Sequence, residues 1–159
     1  MSRKVFTGKL IDVVVDDDGK EIVLHPPAVA IAAVDTEGYV TLTRQPRPAV
    51  GRPVLELPAG LVEAEETPLE TARRELREET GLHGGEWVEA AGFYTSPGFT
   101  DERMHLFVVT GVERGDSSPE ADKEIELVRV PLAEVPALLP QIEDAKTLAG
   151  LLLLVQRQT

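Results

Sequence analysis

Residues Gly60–Leu82, with the sequence GLVEAEETPLETARRELREETGL, predict a loop followed by a capped helix. Thr67 is a suitable N-cap, Pro68 suits the first helical position, and Glu70 completes a T-x-x-E capping box. Gly81 is the expected C-terminal stop. Apolar residues at spacings of three and four form one stripe for packing against a core: Leu69, Ala72 and Leu76.

This predicted helix also gathers acidic residues on one side. At about 100° per residue, Glu75 and Glu79 lie about 40° apart, and Glu78 projects from the adjoining side. Like charges four residues apart destabilise a helix by roughly 0.2–0.5 kcal/mol. Spacing alone leaves two interpretations open. The acids form either a solvated face neutralised by nearby arginines or a site for hard divalent cations, which prefer carboxylate oxygens.

The same segment matches the Nudix box at every defined position, namely Gly60, Glu66, Arg74, Glu75, Leu76, Glu78, Glu79, Gly81 and Leu82. The chain therefore resembles the Nudix hydrolases, which cleave a nucleoside diphosphate linked to another moiety. The resemblance implies an α/β fold, a Nudix-type α/β/α sandwich on a mixed β-sheet. It also implies a Mg²⁺ site, with Mn²⁺ as a substitute, whose ligands are Glu75, Glu78, Glu79 and the main-chain carbonyl of Ala59.

The flanking sequence is consistent with a single Nudix domain over residues 1–159. Residues 1–25 predict an N-terminal β-hairpin around an Asp-Gly turn. Because relatives exchange N-terminal strands between subunits, the resemblance implies a homodimer. Residues 28–159 form the predicted catalytic core, which begins with the continuous apolar run Ala28–Val34, typical of a strand buried on both faces.

Near the C-terminus, residues 132–139 and 143–156 predict two helices separated by Pro140. The apolar run Leu151–Val155 is far too short to span a bilayer, and no apolar signal core follows the N-terminus. We therefore expect a cytoplasmic protein with no membrane partner.

Composition excludes several other classes of function. The formal net charge of −12 argues against sequence-independent nucleic-acid binding. The chain has no cysteine, so neither a cysteine nucleophile nor a Cys-based zinc site is available. An acidic protein still binds a phosphorylated small molecule when metal ions and a few arginines neutralise it locally. The expected partner is therefore a nucleotide substrate.

The expected substrate follows from a second part of the resemblance. In the ADP-ribose pyrophosphatase group, a proline lies about fifteen residues beyond the box, and Pro97 lies fifteen residues after Leu82. The surrounding loop Ser96–Arg103 resembles that group, as do residues 44–60 and 144–149. The alternative is that Pro97 merely forms a tight turn.

Further site residues come from the same resemblance. Arg44 and Arg47 are candidates for binding the diphosphate or the terminal sugar, because forked cations suit phosphate; the alternative is a structural ion pair. Glu56 is a candidate substrate contact, with an exposed acid on an edge strand as the alternative. Two weaker candidates lie in the proline loop: Phe99 and Glu102.

The resemblance implies a catalytic base on the loop before the last strand, where this group usually has it. Glu124, Glu120 and Asp122 all lie there, and we favour Glu124 slightly, with Glu120 next. A base in the box itself, such as Glu78, is the other arrangement found in the family. The three histidines share no ligand spacing and are expected to be structural or exposed.

The sequence therefore predicts a metal-dependent hydrolase that splits ADP-ribose or a related ADP-sugar into AMP and a sugar phosphate. The nearest alternative is another Nudix specificity: a dinucleoside polyphosphate, another nucleotide sugar or an oxidised nucleoside triphosphate. A non-catalytic module that senses a nucleotide is a third alternative, although such modules usually lose box acids and none is missing here.

Overall fold

The computed structural model of the protein describes residues 2–115 and 124–157. The described residues form ten strands: β1 (Arg3–Thr7), β2 (Asp12–Val15), β3 (Glu21–Leu24), β4 (Ala28–Asp35), β5 (Tyr39–Arg47), β6 (Arg52–Glu56), β7 (Ala59–Leu61), β8 (Leu82–Tyr94), β9 (Arg103–Arg114) and β10 (Glu126–Pro131). They also form three α-helices: α1 (Pro68–Thr80), α2 (Val135–Leu138) and α3 (Ala145–Gln156).

The main sheet is mixed, as predicted. Its strands follow the order β10-β5-β4-β9-β8, while β6 pairs with β5 and β7 pairs with β4. β4 and β9 run parallel, and the other pairs of this sheet are antiparallel. The short strand β7 belongs to the segment for which the sequence predicted a loop, and it brings Ala59 and Gly60 onto the edge of β4.

The central strand β4 explains the layers of the fold. Its side chains alternate between two apolar clusters because successive residues of a strand point to opposite faces. Ala28, Ala30 and Ala32 share a cluster with Leu151 and Leu154 of α3. On the other face, the cluster with α1 contains Val29, Ile31, Ala33, Ala72 and Leu76. A helix therefore covers each face of the sheet, and the predicted α/β/α sandwich is confirmed.

The N-terminal segment forms a three-stranded antiparallel sheet in which β2 pairs with both β1 and β3. The predicted hairpin is present as β2 and β3, and β1 is an additional edge strand. At the opposite edge of this sheet, β3 contacts the proline loop. The Val23 amide donates to the Phe99 carbonyl at 2.7 Å, and the Asp101 amide donates to the Val23 carbonyl at 3.2 Å. This small sheet therefore lies beside the segment that contains Pro97.

The C-terminal region differs in detail from the prediction. Residues 132–141 form only the single turn of α2 between two 3₁₀ turns, rather than one helix over 132–139. Pro136 and Pro140 lack the amide hydrogens that a continuing helix needs. Asp144 caps α3, which therefore begins at Ala145. Within the described residues, no helix is long and apolar enough to cross a membrane.

Candidate active site

Helix α1 has the caps that the sequence predicts. The Glu70 amide donates to Thr67 Oγ1 at 3.3 Å, and the Thr67 amide donates to Glu70 Oε2 at 2.8 Å. Pro68 occupies the first turn, and Gly81 ends the helix with a φ of 73°, which favours glycine. The position of the acids along the chain is therefore set by local interactions.

Packing of α1 against the sheet carries two of these acids inward. Glu75 and Glu79 are only 8% and 5% exposed. The Ala59 amide donates to Glu79 Oε2 at 3.2 Å. A Cβ on Gly60 would lie 2.1 Å from Cδ of Glu75, so only glycine leaves room for this carboxyl group. The structure thus brings together Ala59, Gly60, Glu75 and Glu79.

Arg74 holds the box acids in place. It forms a two-point ion pair with Glu66 at 2.8 and 2.9 Å, and its Nη1 donates to Glu75 at 2.8 Å and to Glu78 at 3.1 Å. Hydrogen bonds from Arg74 and from the Thr71 hydroxyl lower the pKa of Glu66 to about 2. The same contact with Glu66 raises the pKa of Arg74. Glu66 therefore stays ionised and serves as an anchor for Arg74.

The donor set has the chemistry that a hard divalent cation needs. The carboxylates of Glu75, Glu78 and Glu79 and the carbonyl of Ala59 offer only oxygen, and Gly60 keeps open the space in which Glu75 lies. In residues 2–115 and 124–157, however, no three acidic or histidine side chains converge closely enough to hold a metal. Arg74 bridges two of these acids, because its Nη1 donates to both Glu75 and Glu78. Metal binding at these residues would displace part of that hydrogen bonding.

A cavity of about 480 Å³ opens over Ala59 and Gly60, beside these acids. One wall has the cations Arg47 and Lys146 together with Asp144. Its lining also includes His25, Thr95 and Glu102. The size, the polar walls and the adjoining carboxylates are typical of a small-molecule site.

Glu56 links the two cations of this wall and is only 2% exposed. Arg47 donates to both of its oxygens at 2.7 and 2.8 Å, and Lys146 Nζ donates to Oε2 at 2.6 Å. Burial alone would raise the pKa of Glu56, but the hydrogen bonds from Arg47 and Lys146 outweigh it and lower the pKa. Glu56 is therefore an ionised, buried acceptor, which differs from the exposed edge-strand alternative.

The other substrate candidates occupy different places. Arg44 is exposed on β5 and pairs with Glu126 at 3.3 Å, away from the lining of this cavity. Pro97 and Phe99 line a second hollow of about 570 Å³ between the N-terminal sheet and the proline loop. Glu102 faces the first cavity, where it accepts a hydrogen bond from Thr95 Oγ1 at 2.6 Å. Arg47, Glu56 and Glu102 are thus near the box, whereas Arg44 is not among the cavity residues.

The candidate base is only partly covered by the structure. Glu124 is exposed and lies in the irregular segment just before β10. Glu120 and Asp122 lie outside the described residues. The choice among these acids stays a prediction.

Three residues of the cavity wall were not predicted to be site residues: Asp144, Lys146 and His25. Asp144 and Lys146 lie at the start of α3, where a D-x-x-T pattern signals the N-cap: Asp144 accepts from the Thr147 amide at 3.0 Å. His25 has a side chain 16% exposed and lies 3.5 Å from Glu102. No sequence spacing could reveal that His25 meets Glu102, because the contact depends on how the N-terminal sheet docks.

Several known proteins are similar to this chain. An ADP-ribose pyrophosphatase of Bacillus subtilis is 39% identical over 157 residues, covering 91% of this chain and 85% of the relative. An ADP-ribose pyrophosphatase of Mycobacterium tuberculosis is 40% identical over 139 residues, covering 84% of this chain and 67% of the relative. A "Methanol dehydrogenase activator" of Bacillus methanolicus is 34% identical over 158 residues, covering 92% and 85%.

The solved structures support the same fold. A crystal structure titled as an ADP compounds hydrolase superposes with a TM-score of 0.80 at 21% identity, and the match covers 99% of this chain and 91% of that one. The NUDIX domain family model matches residues 24–151, which include α1, its acids and all of the cavity lining except Leu10. The chain belongs to the NUDIX domain family.

Proposed function

We propose that this protein hydrolyses the pyrophosphate bond of ADP-ribose or a related ADP-sugar and releases AMP and a sugar phosphate. The observation that carries this proposal is the cavity lined by Arg47, Lys146, Ala59 and Gly60, because Ala59 and Gly60 lie against the buried carboxylates of α1. A diphosphate lying there would be close to Arg47 and Lys146 and to Ala59 and Gly60, which lie against Glu79 and Glu75. The names of the relatives from B. subtilis and M. tuberculosis favour ADP-ribose among the Nudix substrates.

The cofactor in this proposal is Mg²⁺, with Mn²⁺ as a substitute, held by Glu75, Glu78, Glu79 and the carbonyl of Ala59. When bound, such ions neutralise the diphosphate, polarise phosphorus and lower the pKa of a bound water. Arg74 orients Glu75 and Glu78 through its hydrogen bonds, and Glu66 in turn orients Arg74. The chain thus supplies oxygen ligands on one helix, and metal binding would draw Glu75 and Glu78 together in place of part of their hydrogen bonding to Arg74.

Proton removal from the attacking water needs a base near the substrate. Glu124 is our first candidate, Glu120 the second, and Glu78 the alternative within the box. Glu56 and Glu66 are poor candidates because their lowered pKa values and their arginine partners make them weak proton acceptors.

The proposal includes a homodimer in the cytoplasm. The edge strand β1 supports the dimer, because it is exposed along its whole length and contains Val5 and Phe6, which are 48% and 54% exposed. An unpaired strand edge with apolar side chains is a ready surface for pairing with a second chain. Cell fractionation would test the location.

The first test is phosphate release from ADP-ribose in Mg²⁺, coupled through a phosphatase, for the wild type and Glu79→Gln. We expect kcat to fall by more than the roughly 100-fold that loss of an outer-shell partner of a metal ligand costs. Glu134→Gln, which removes an exposed acid outside the site, is the matched control. The same assay with Glu124→Gln and Glu120→Gln separates the two candidate bases, since loss of a base typically lowers kcat by about 10²–10⁴.

Two outcomes would contradict the proposal. No turnover of ADP-ribose by the wild type would exclude this substrate, and other nucleoside diphosphate derivatives should then be assayed. Full activity of Glu79→Gln would place the metal elsewhere.

A second candidate function is regulation of another enzyme, which one relative's name favours: "Methanol dehydrogenase activator". Addition of this protein to a purified methanol dehydrogenase, with and without Mg²⁺, tests it. An unchanged dehydrogenase rate would exclude it.

A further inference from the structure

Lys146 occupies an unusual position for a lysine at the start of a helix. Its ammonium group lies in the wall of the cavity, and its side chain is only 15% exposed. Two carboxylates hold it, since Nζ donates to Glu56 at 2.6 Å and to Asp144 at 2.9 Å. A long, flexible side chain is thereby confined to one place.

The geometry of an ammonium group leaves one donor for a ligand. Lysine has three N–H donors, and the two contacts with Glu56 and Asp144 use two of them. Among the described residues, no other acceptor is within hydrogen-bonding distance of Lys146 Nζ. The third N–H belongs to a group that lines the cavity, so an anionic ligand entering the cavity would satisfy it.

The charges around Lys146 show why this donor matters. Arg47 and Lys146 contribute two positive charges to the wall, and Glu56 and Asp144 contribute two negative ones. The wall as a whole is therefore neutral. It attracts a diphosphate only through N–H groups of Arg47 and Lys146 that the two carboxylates do not already bind. Both oxygens of Glu56 already accept from Arg47, which binds it by the fork of Nε and Nη2. The ammonium of Lys146 has three N–H donors, of which Glu56 and Asp144 accept from only two.

We propose that Lys146 binds the diphosphate of the substrate directly through its third N–H, while Glu56 and Asp144 hold the ammonium in position. This inference rests on the proposed function and adds a substrate-binding residue to it. Lys146 is not a catalytic residue in this scheme: it contributes to binding before and during the reaction.

The decisive experiment separates direct binding from an effect through Glu56. Binding of the non-hydrolysable α,β-methylene analogue of ADP-ribose is measured by calorimetry in Mg²⁺ for the wild type, Lys146→Met and Lys146→Arg. A charge-assisted hydrogen bond corresponds to roughly a tenfold to hundredfold change in affinity. We expect a Kd raised by that factor in Lys146→Met, partial recovery in Lys146→Arg, and a KM for ADP-ribose that rises more than kcat falls.

A double-mutant cycle then tests the route of the effect. If Lys146 contacts the ligand, Lys146→Met raises the Kd in a Glu56→Gln background as well. If Lys146 only positions Glu56, the second substitution has no further effect, and the inference is overturned. Circular dichroism and thermal unfolding check the fold; should Glu56→Gln not fold, Asp144→Asn provides the background, because asparagine also caps helices well.

The matched control is Arg52→Met. Arg52 forms an ion pair with Glu143 at 2.6 Å, which joins β6 to the residue before Asp144, outside the cavity. We expect a Kd like that of the wild type, because Arg52 and Glu143 do not line the cavity over Ala59 and Gly60 but only a neighbouring hollow that Lys146 shares. An equal loss of affinity in Arg52→Met and Lys146→Met would overturn the inference.

The outcomes also separate this inference from the proposed function. Analogue binding by the wild type without turnover of ADP-ribose would contradict the proposed hydrolysis but not the role of Lys146. An unchanged Kd in Lys146→Met would contradict the role of Lys146 but not the proposed hydrolysis. Absence of binding to the wild type in Mg²⁺ would contradict both.

Discussion

Gly60 shows how one residue controls the position of a candidate ligand. Its backbone passes so close to Glu75 that a Cβ would lie 2.1 Å from Cδ and 2.3 Å from Oε1 of that carboxyl group. We predict that Gly60→Ala displaces Glu75, lowers hydrolysis of ADP-ribose and destabilises the protein by about 1–3 kcal/mol, the usual cost of overpacking. Urea unfolding and the phosphatase-coupled assay measure the two effects.

A Glu75→Ala background provides the control for this prediction. Removal of the carboxyl group makes room for the new methyl group, so Gly60→Ala should cost much less stability there. An equal cost in both backgrounds would show that the clash lies with another group.

Glu66 makes stability depend on pH in a defined range. Its pKa is about 2 in the folded protein because Arg74 and Thr71 donate to it, compared with an ordinary value of 4.5. The ionised form therefore stabilises the fold above about pH 4.5, and this contribution is lost as the pH falls towards 2. We predict that the difference in unfolding free energy between the wild type and Glu66→Gln is largest above pH 5 and shrinks steadily below it.

Denaturant unfolding at a series of pH values from 2 to 6 measures this difference. Glutamine does not titrate, so Glu66→Gln removes the contribution of this residue to the pH dependence of the unfolding free energy without removing the side chain. A difference that stays constant over the whole range would contradict the assigned pKa.

At the level of the element, α1 depends on its N-terminal cap. Thr67 and Glu70 satisfy two amides that the helix itself leaves without partners. We predict that Thr67→Ala lowers the unfolding free energy by about 1 kcal/mol, as measured by urea denaturation. Thr36→Ala, at an exposed loop threonine, is the control and should change it little; an equal loss there would show that the capping box is not the cause.

At the level of the whole molecule, β1 is the surface on which the proposed dimer depends. Val5 lies at the edge of the N-terminal sheet and is 48% exposed, so an aspartate there would put a charge into an interface built on this strand. We predict that sedimentation shows a dimer for the wild type and mainly monomer for Val5→Asp.

Val88→Asp is the matched control, because Val88 is 46% exposed on β8, the edge strand of the main sheet. We expect Val88→Asp to remain a dimer, like the wild type. Dissociation by Val88→Asp alone would place the interface on β8, and a monomeric wild type would exclude the dimer.

The sequence by itself determined the parts of this protein that depend on neighbours along the chain. The caps of α1, its apolar stripe and the spacing of Glu75, Glu78 and Glu79 follow from contacts within a few residues. The buried strand β4 was predictable as well, because a continuous apolar run has few other places in a soluble fold. The family was predicted from the match to the whole box between Gly60 and Leu82, and the sandwich from the order of the elements and from that resemblance.

Tertiary structure decided which charged side chains meet. Glu56 and Lys146 are 90 positions apart, and only the packing of α3 against the sheet brings them to one wall. Whether Arg44 or Arg47 would reach the cavity depended on the neighbours of β5. Strand β10 places Glu126 beside Arg44, and β6 provides Glu56 as the partner of Arg47. Ion pairs between distant residues follow from strand register and helix docking, which no short sequence pattern encodes. The sequence therefore specified the carboxylates of α1, whereas the fold specified the cavity beside them.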